Sequence, residues 1–350
     1  MATTTLTIGN ELLSTTMHVL MKEFRDNVHE SVAFLDAQER VHGAGNPVQA
    51  GGTRIVVPLG MGEHSTTTRL QTGFERINLS VSDVFVPAVY QFAHVVRPVA
   101  ISSEEEFINQ GDSAILSILE SRVKMTANAL KREFVKQIVS GSQVGWEDWG
   151  TLNGVDAATI GQAGYLEEDT VNNQGNTVGG VSKATYSTKT GWQNQMFDGA
   201  GSFNANGLAG LYDLMVEINS VSPSGAPNVI LASRAGFKNL KRSLSAQERY
   251  VDQAKLDGGR MVQTFDGIQI DVEYNMPTAG ATTTGDPISF YFLNMNDIHC
   301  LWDPKGYFDL SDFETVSGEY DVRAAKMRVR GQLVAKHLGS SGLAFDLETF

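Results

Sequence analysis

The amino-acid sequence predicts an α+β protein, because three kinds of segment follow one another along the chain. Residues 53–101 have the pattern of extended strands, and residues 104–139 have the period of a long helix. From residue 205 onward, helices and strands alternate. With 350 residues, 41% of them apolar and 19% charged, the chain can bury a sizeable core and divide into subdomains.

The charge balance argues against a nucleic-acid-binding groove. The chain holds 27 Lys and Arg against 40 Asp and Glu, a formal net charge of −13. Phosphate binding needs clustered Lys and Arg that displace counterions, and the sequence shows no such block. We therefore expect neighbouring nucleic acid to be held without tight or sequence-specific binding.

The cysteine content and the first residues indicate the cellular compartment in which the chain folds. Cys300 is the one cysteine, which excludes an intrachain disulfide and a multi-cysteine zinc site. The start, MATTTLTIGNELL, lacks a basic segment followed by an apolar one, so we expect no signal peptide. No apolar run approaches the roughly 20 residues that span a bilayer, so no membrane partner is expected. The sequence thus favours folding in a reducing cytoplasm.

Residues 10–37 predict a first helix, because apolar residues recur there at three- and four-residue steps. The segment HGAGNPVQAGG at 42–52 then breaks it with glycines and a proline. A helix isolated by such a segment favours an extended arm. The alternative is an ordinary first helix packed on its own domain.

The extended region predicts a long ribbon, with one strand in TRIVVPLG and the rest in residues 76–102. Apolar and polar residues alternate over 77–82, whereas both faces are mostly apolar over 84–96. This change predicts a ribbon that is exposed at its tip and buried on both faces near its base. At about 3.3 Å per residue the run is too long for one globule, so we expect a bend, with Pro87 as its place.

The charges of the ribbon are arginines and carboxylates, without a lysine. Arginine suits planar, bidentate pairing with carboxylates at interfaces. The alternative is a set of solvated surface charges. The candidate inter-subunit residues are Arg54, Arg69, Glu75 and Arg76.

The end of the ribbon carries a helix start signal. Ser102 or Ser103 can cap the helix, with Glu105 or Glu106 as the second member of a capping box. Gly141 is the expected stop. A helix over 104–139 would measure roughly 50 Å at about 1.5 Å per residue.

Residues 141–204 are glycine-rich and predict loops with short strands at most. The remainder predicts an α/β unit followed by returning strands. Helices are expected at 206–220 and 234–245, and strands at 228–233, 267–277, 288–294, 322–337 and 342–350.

Sequence motifs of catalysis and of phosphate or metal binding are missing. The chain has no GxxxxGK[ST], no GxGxxG after a strand and no HExxH, and its seven histidines are scattered. Ser113 in GDSA resembles a hydrolase nucleophile, but it lies inside a helical pattern. We therefore expect no enzyme activity and no cofactor.

Three further groups of polar residues resemble functional sites, but each fits a structural role better. Glu63, His64 and Ser65 are adjacent in sequence and fit a polar loop tip better than a proton relay. Cys300 on an apolar strand fits a small core residue better than a reactive thiol. A solvated turn, not a cation site, is expected for Asp303, Asp309, Asp312 and Glu314, whose spacing matches no calcium loop.

The order of these segments resembles the HK97-type major capsid protein of tailed bacteriophages, and local motifs agree. VRPVAISSEEEF is similar to the family's junction between its E-loop and spine helix, and PNVILASRAGFKNLKRSL to the strand and helix of its axial domain. YDVRAAKMRVRGQLVAKHLGSSGLAFDL is similar to its closing strands. KLDGGRMVQTFDGIQIDVEYNMP is similar to a recurrent family segment, here carried by Lys255, Asp257, Gly259, Arg260, Gly267 and Pro277.

The resemblance implies an HK97-like capsid fold. Its expected parts are an N-terminal arm at 1–47, an extended E-loop ribbon at 48–101, a peripheral domain with a spine helix at 102–150 and 305–350, and an axial domain at 151–304 with a glycine-rich insertion at 151–204.

The resemblance also implies a structural role in a virion. Copies would form hexamers and pentamers of an icosahedral shell around double-stranded DNA, assembled in the bacterial host cytoplasm with portal and decoration proteins as further partners. The arm helix starts close to Met1, so we expect a separate scaffolding protein, or none. The family's lysine–asparagine crosslink finds no matching pair here.

Two alternatives stay open at this point. An encapsulin-like compartment would have the same fold and hold cargo protein. A β-rich phage tail or surface-layer component would form open tubes or sheets and would not need a long spine helix.

Overall fold

The computed structural model describes residues 32–43, 47–62, 67, 69, 71, 73, 74, 76, 77, 83–108, 118–141, 143–153, 164–166, 177–186, 191–246, 253–255, 261–277, 286–315 and 321–350. The helices are α1 (Ala33–His42), α2 (Ser103–Ile108), α3 (Ile118–Ser140), α4 (Leu208–Val221) and α5 (Arg234–Ala246), and a π-helical turn at Phe203–Gly207 precedes α4. The strands are β1 (Arg54–Gly60), β2 (Phe85–Gln91), β3 (Ala93–Ser102), β4 (Thr177–Val178), β5 (Val181–Ser182), β6 (Gln195–Asp198), β7 (Val229–Ala232), β8 (Gln253–Lys255), β9 (Met261–Phe265), β10 (Ile268–Val272), β11 (Ile288–Leu293), β12 (Ile298–Trp302), β13 (Asp309–Leu310), β14 (Glu314–Thr315), β15 (Val322–Ala335) and β16 (Gly342–Phe345).

The larger sheet has seven strands in the order β6-β16-β11-β7-β10-β9-β8. Its central strands β7, β11 and β16 are buried at every residue, as expected for apolar runs covered on both faces. Helices α4 and α5 share one core cluster with this sheet. A second, larger cluster contains the opposite-facing residues of the same strands together with α1 and α3.

The smaller sheet is organised around the 14-residue strand β15. Strand β3 pairs with it over ten residues, and β12, β13 and β14 pair with it as well. Helix α3 packs on this sheet, where an ion pair of 3.0 Å joins Arg97 of β3 to Glu133. Phe134 of α3 is fully buried among Trp146, Trp149 and Trp302.

The predicted capping box is confirmed, with Ser102 as the cap. The Ser102 side-chain oxygen accepts from the Glu105 N–H at 3.2 Å, and the Glu105 carboxylate accepts from the Ser102 N–H at 3.2 Å. Arg122 of α3 binds both carboxylate oxygens of Glu105, at 2.6 and 2.8 Å. This hydrogen-bonded guanidinium lowers the pKa of Glu105 to about 2. Strand β3 and both helices are therefore joined at one point.

The predicted stop of the long helix at Gly141 is also confirmed. Helix α3 ends at Ser140, and Gly141 has a φ of 67°, which favours glycine. The 23 residues of α3 measure about 34 Å at roughly 1.5 Å per residue. The stretch between α2 and α3 lies outside the described residues.

The expected bend at Pro87 is wrong. Strand β2 stays in register with β1 through Pro87, and the interruption falls at Phe92, between β2 and β3. Strand β3 also continues through Pro98 to Ser102. Proline is tolerated there because β3 pairs only with β15 among the described strands. Within the described part of the chain, the other edge of β3 forms no ladder hydrogen bonds that would need a proline N–H.

Helix α1 packs on the body of the chain, as the second interpretation of this helix expects for its last residues. The Gln38 side chain is buried and exchanges two hydrogen bonds with the backbone of Cys300, at 2.9 and 3.1 Å. Arg40 forms an ion pair of 2.7 Å with Asp271 of β10. Cys300 is fully buried, which confirms its expected place in the core. Residues 10–31 of the predicted helix lie outside the described residues.

The described part of 141–204 has the predicted short strands, but it is firmly packed. Lys183 is fully buried, and its Nζ donates to the backbone oxygens of Gly164 at 3.2 Å and Tyr165 at 2.9 Å. The Tyr165 hydroxyl in turn donates to the Leu333 oxygen of β15 at 2.6 Å. A buried lysine thus links the glycine-rich segment to the smaller sheet.

We expect Lys183→Met to lower the free energy of unfolding by about 2–3 kcal/mol, because two buried carbonyl groups lose a charged donor. Denaturant unfolding measures this change. Lys305→Met, at an exposed lysine, is the control and should leave the midpoint unchanged. An equal effect of both substitutions would contradict the structural role of Lys183.

Buried His299 makes stability depend on pH. Burial, and to a smaller extent the charges of Lys336 and His42, lower the pKa of His299 from 6.5 to about 4. The unfolded chain therefore binds more protons between these values, so stability is full above pH 6.5 and falls as the pH drops towards 4. The loss approaches about 3 kcal/mol.

Unfolding midpoints measured between pH 4 and 7 test this dependence. Burial lowers the pKa of His337 as well, so His299→Gln should reduce the slope in that window without removing it, whereas His94→Gln, at an exposed histidine of β3, should preserve it. A slope as steep in His299→Gln as in the unmodified chain would contradict the role of His299.

None of the helices among the described residues combines the length and apolar character needed to cross a membrane.

Candidate inter-subunit surface

The predicted ribbon exists as an antiparallel pair of β1 and β2. The register runs from Arg54 opposite Gln91 to Gly60 opposite Phe85. One further hydrogen bond, from the Met61 N–H to the Val84 oxygen at 2.8 Å, extends the pairing of the two strands into the connection at 61–84.

The inner face of the ribbon is fixed to the body. Ile55, Leu59, Ala88 and Tyr90 are each at most 5% exposed. The Tyr90 hydroxyl donates to the Ala335 oxygen of β15 at 2.8 Å, and its burial raises the pKa of the phenol. The ribbon cannot rotate to cover its other face without breaking these contacts.

The outer face of the ribbon is apolar and exposed, so the expectation of burial on both faces is wrong for the single chain. The register places Val56 opposite Val89 and Gly60 opposite Phe85 on this face. Val56 is 57% exposed and Phe85 is 73% exposed. This outer face continues into the connection between β1 and β2, where Phe74 is 97% exposed. A contiguous apolar patch of this kind marks an interaction site.

Two prolines lie opposite each other in the middle of the outer face, Pro58 in β1 and Pro87 in β2. Neither has an N–H, so the pair suits a position where ladder hydrogen bonds are not formed and backbone groups point outward. Val89, two residues along, has an outward N–H that donates to the Gly179 oxygen at 2.8 Å. The prolines remove one such donor from each edge, which disfavours added strands there and leaves the apolar face for contact.

The candidate charged residues occupy both ends of the ribbon. Arg54 is exposed at the first position of β1, and Arg69 and Arg76 are exposed in the connection. Among the residues that the structure describes, these arginines make no ion pair within the chain. Glu75 lies outside the described residues. The sequence patterns led to the charges but not to Val56 and Phe85, whose signal was the run of apolar residues on both faces.

The other candidate groups have structural roles or are not described. Asp303 is only 7% exposed, so the solvated turn is wrong at this residue: its carboxylate pairs with Arg330 and accepts from the Lys305 N–H at 3.0 Å. The other three carboxylates of that group are exposed. No cluster of three or more His, Cys, Asp or Glu that could hold a metal occurs in the described part of the chain. Ser113 and the segment 63–65 lie outside it.

Neither a protein-family model nor a curated protein matches this sequence. Among solved structures, the capsid of cyanophage A-1(L) matches with a TM-score of 0.67 and 15% identity, over 98% of this chain and 99% of that chain. The capsid of the empty GTA particle matches with a TM-score of 0.62 and 13% identity, over 95% of each chain. The holo-SrpI encapsulin complex from Synechococcus elongatus matches with a TM-score of 0.57 and 10% identity, over 97% of this chain and 95% of that chain. The chain therefore has the HK97-like fold of these capsid and encapsulin structures, which confirms the fold class expected from the order of its elements.

Proposed function

We propose that the chain is the major capsid protein of a tailed bacteriophage. Copies of it form hexamers and pentamers of an icosahedral shell that encloses double-stranded DNA. The observation that carries this proposal is the exposed apolar outer face of a ribbon whose inner face is fixed to the body.

The physical argument follows from that face. An exposed apolar face is stabilised when another surface covers it. The outer face of the ribbon points away from its own body, because the inner face is fixed there. The surface that receives it on the next copy differs from the ribbon itself, so the contact is heterologous. Contacts of this type close into rings when the rotation fits, and rings can build a shell.

The proposed division of the chain has an arm at 1–47, an E-loop ribbon at 48–101, a peripheral domain at 102–150 and 305–350, and an axial domain at 151–304. Packing of α3 on the sheet of β15 supports the peripheral unit. Strand β3, at the end of the E-loop segment, pairs with β15 and so attaches the base of the ribbon to that unit. Two strands connect the units: β12 pairs with β15, and β16 pairs with β11 of the larger sheet.

Assembly of the purified chain tests the proposal. Light scattering and negative-stain electron microscopy should show closed particles of uniform diameter. Monomers or dimers alone, under every assembly condition and with co-expressed phage scaffolding protein, would contradict it.

An encapsulin-like compartment is the second candidate, favoured by the fold shared with the encapsulin complex. The contents of particles produced with their neighbouring genes distinguish the two. Nuclease-resistant double-stranded DNA supports the capsid, and an enclosed protein without DNA supports the compartment.

The capsid proposal includes assembly in the host cytoplasm with separate scaffolding, portal and decoration proteins.

The interface proposed for Arg54, Arg69, Glu75 and Arg76 predicts a moderate effect. Arg69→Ala with Arg76→Ala should weaken assembly several-fold, because an exposed ion pair contributes up to about 1 kcal/mol. The assembled fraction against concentration measures this change, with Lys305→Ala as the control at an exposed site. Unchanged assembly of the double variant would mean that these arginines are merely solvated.

A further inference from the structure

We propose that helix α5 of one copy docks on helix α4 of the next copy through opposite charges. This inference rests on the proposed function and identifies a contact between neighbours within a ring, separate from the ribbon.

Helix α5 presents a purely basic stripe. Arg234, Lys238, Lys241 and Arg242 are all exposed, and the helix contains no acidic residue. Their spacing of four, three and one residues places them on one side of the helix. In a chain with a net charge of −13, this concentration of positive charge is unusual.

Helix α5 and two of its basic side chains are held in place by contacts with buried and aromatic neighbours. The Asn239 side chain is buried and donates to the backbone oxygens of Leu347 at 3.1 Å and Glu348 at 2.8 Å. Lys241 lies over the Phe237 ring at 4.8 Å, and the Arg242 guanidinium lies over the Phe350 ring at 4.3 Å. Because these side chains are already ordered, less entropy is lost when a partner binds.

Helix α4 presents the complementary surface. Asp213 and Glu217 are exposed one turn apart, and the helix contains no Lys or Arg. Beside them, Tyr212 is 46% exposed and Val216 is 67% exposed. Tyr212 is supported by the Phe265 ring at 4.7 Å. The helix thus offers an apolar strip with acidic residues along it.

A second copy is the partner because one chain cannot bring these surfaces face to face. Both helices pack on the same side of the larger sheet through one core cluster, so their exposed sides face away from that sheet. Between two copies, the basic stripe can meet the acidic one and cover Tyr212 and Val216. The contact joins different surfaces, as a ring requires. It also offsets the repulsion between copies that each carry −13.

Charge reversal tests this contact. One variant carries Lys238→Glu with Lys241→Glu, and another carries Asp213→Lys with Glu217→Lys. Each alone should lower the yield of particles at least tenfold while circular dichroism and the melting temperature stay near those of the unmodified chain. The variant with all four substitutions keeps the formal net charge of −13 and should recover assembly. An equimolar mixture of the two double variants should also form alternating hexamers.

The outcomes separate this inference from the proposed function. If the unmodified chain forms no particles, the proposed function fails. If it forms particles and both double variants do so equally well, or if the fourfold variant stays unassembled, the docking of α5 on α4 is wrong. Particles that form normally from Lys238→Glu with Lys241→Glu but lose their DNA would assign the stripe to nucleic acid and would likewise overturn it.

Discussion

Val56→Asp with Phe85→Asp is expected to abolish assembly while the isolated subunit keeps its fold. Both side chains are more than half exposed in the single chain, so the substitutions remove little internal packing. In a shell each carboxylate would be buried against an apolar surface, at a cost of about 3 kcal/mol or more per contact. That cost raises the concentration needed for assembly by more than about a hundredfold. Light scattering over a concentration series measures it.

A matched control separates this effect from added charge alone. Val144 is 86% exposed and lies in the turn after α3, away from the ribbon in sequence. Val144→Asp introduces the same carboxylate and should assemble like the unmodified chain. If the ribbon variant also assembles normally, its apolar face is not buried between copies.

Phe134→Ala is expected to lower the free energy of unfolding by about 3–5 kcal/mol, the range for removing a large aromatic side chain from a core. Phe134 is fully buried, and its ring lies 5.0 Å from Trp149 and 5.0 Å from Trp302. The substitution leaves a cavity where α3 meets the smaller sheet. Denaturant unfolding followed by tryptophan fluorescence measures the loss.

Met125→Ala on the same helix is the control for Phe134→Ala. Met125 is 47% exposed, so its truncation should cost well under the value for Phe134. A loss below about 1 kcal/mol for Phe134→Ala would mean that the aromatic cluster does not hold the helix on the sheet.

Local signals predicted their elements well. The capping box needed only Ser102 and Glu105, three residues apart, and the helix stop needed only a glycine that adopts a positive φ. The buried strands β7 and β11 were predicted to within one residue at each end, because burial on both faces leaves a continuous apolar run. The strands β8, β9, β13 and β14 of the two sheets were not predicted.

Features that depend on distant residues were not predictable from these patterns. The packing of α1 rests on hydrogen bonds between Gln38 and Cys300, which are 262 positions apart. The burial of Lys183 likewise depends on carbonyl groups of a segment that composition alone describes as a loop.

The candidate surfaces were predicted in part. The run of apolar residues indicated the ribbon, but only the register shows that Val56 and Phe85 lie on the uncovered face. The basic stripe of α5 escaped the search for a Lys and Arg block, because only Lys241 and Arg242 are adjacent in sequence and the helical period brings Arg234 and Lys238 beside them.

A cryo-electron microscopy map of the assembled chain tests the central claim most directly, by locating the outer face of the ribbon. We expect a closed shell in which Val56 and Phe85 are covered by the neighbouring copy. A shell in which both side chains face solvent would contradict the account.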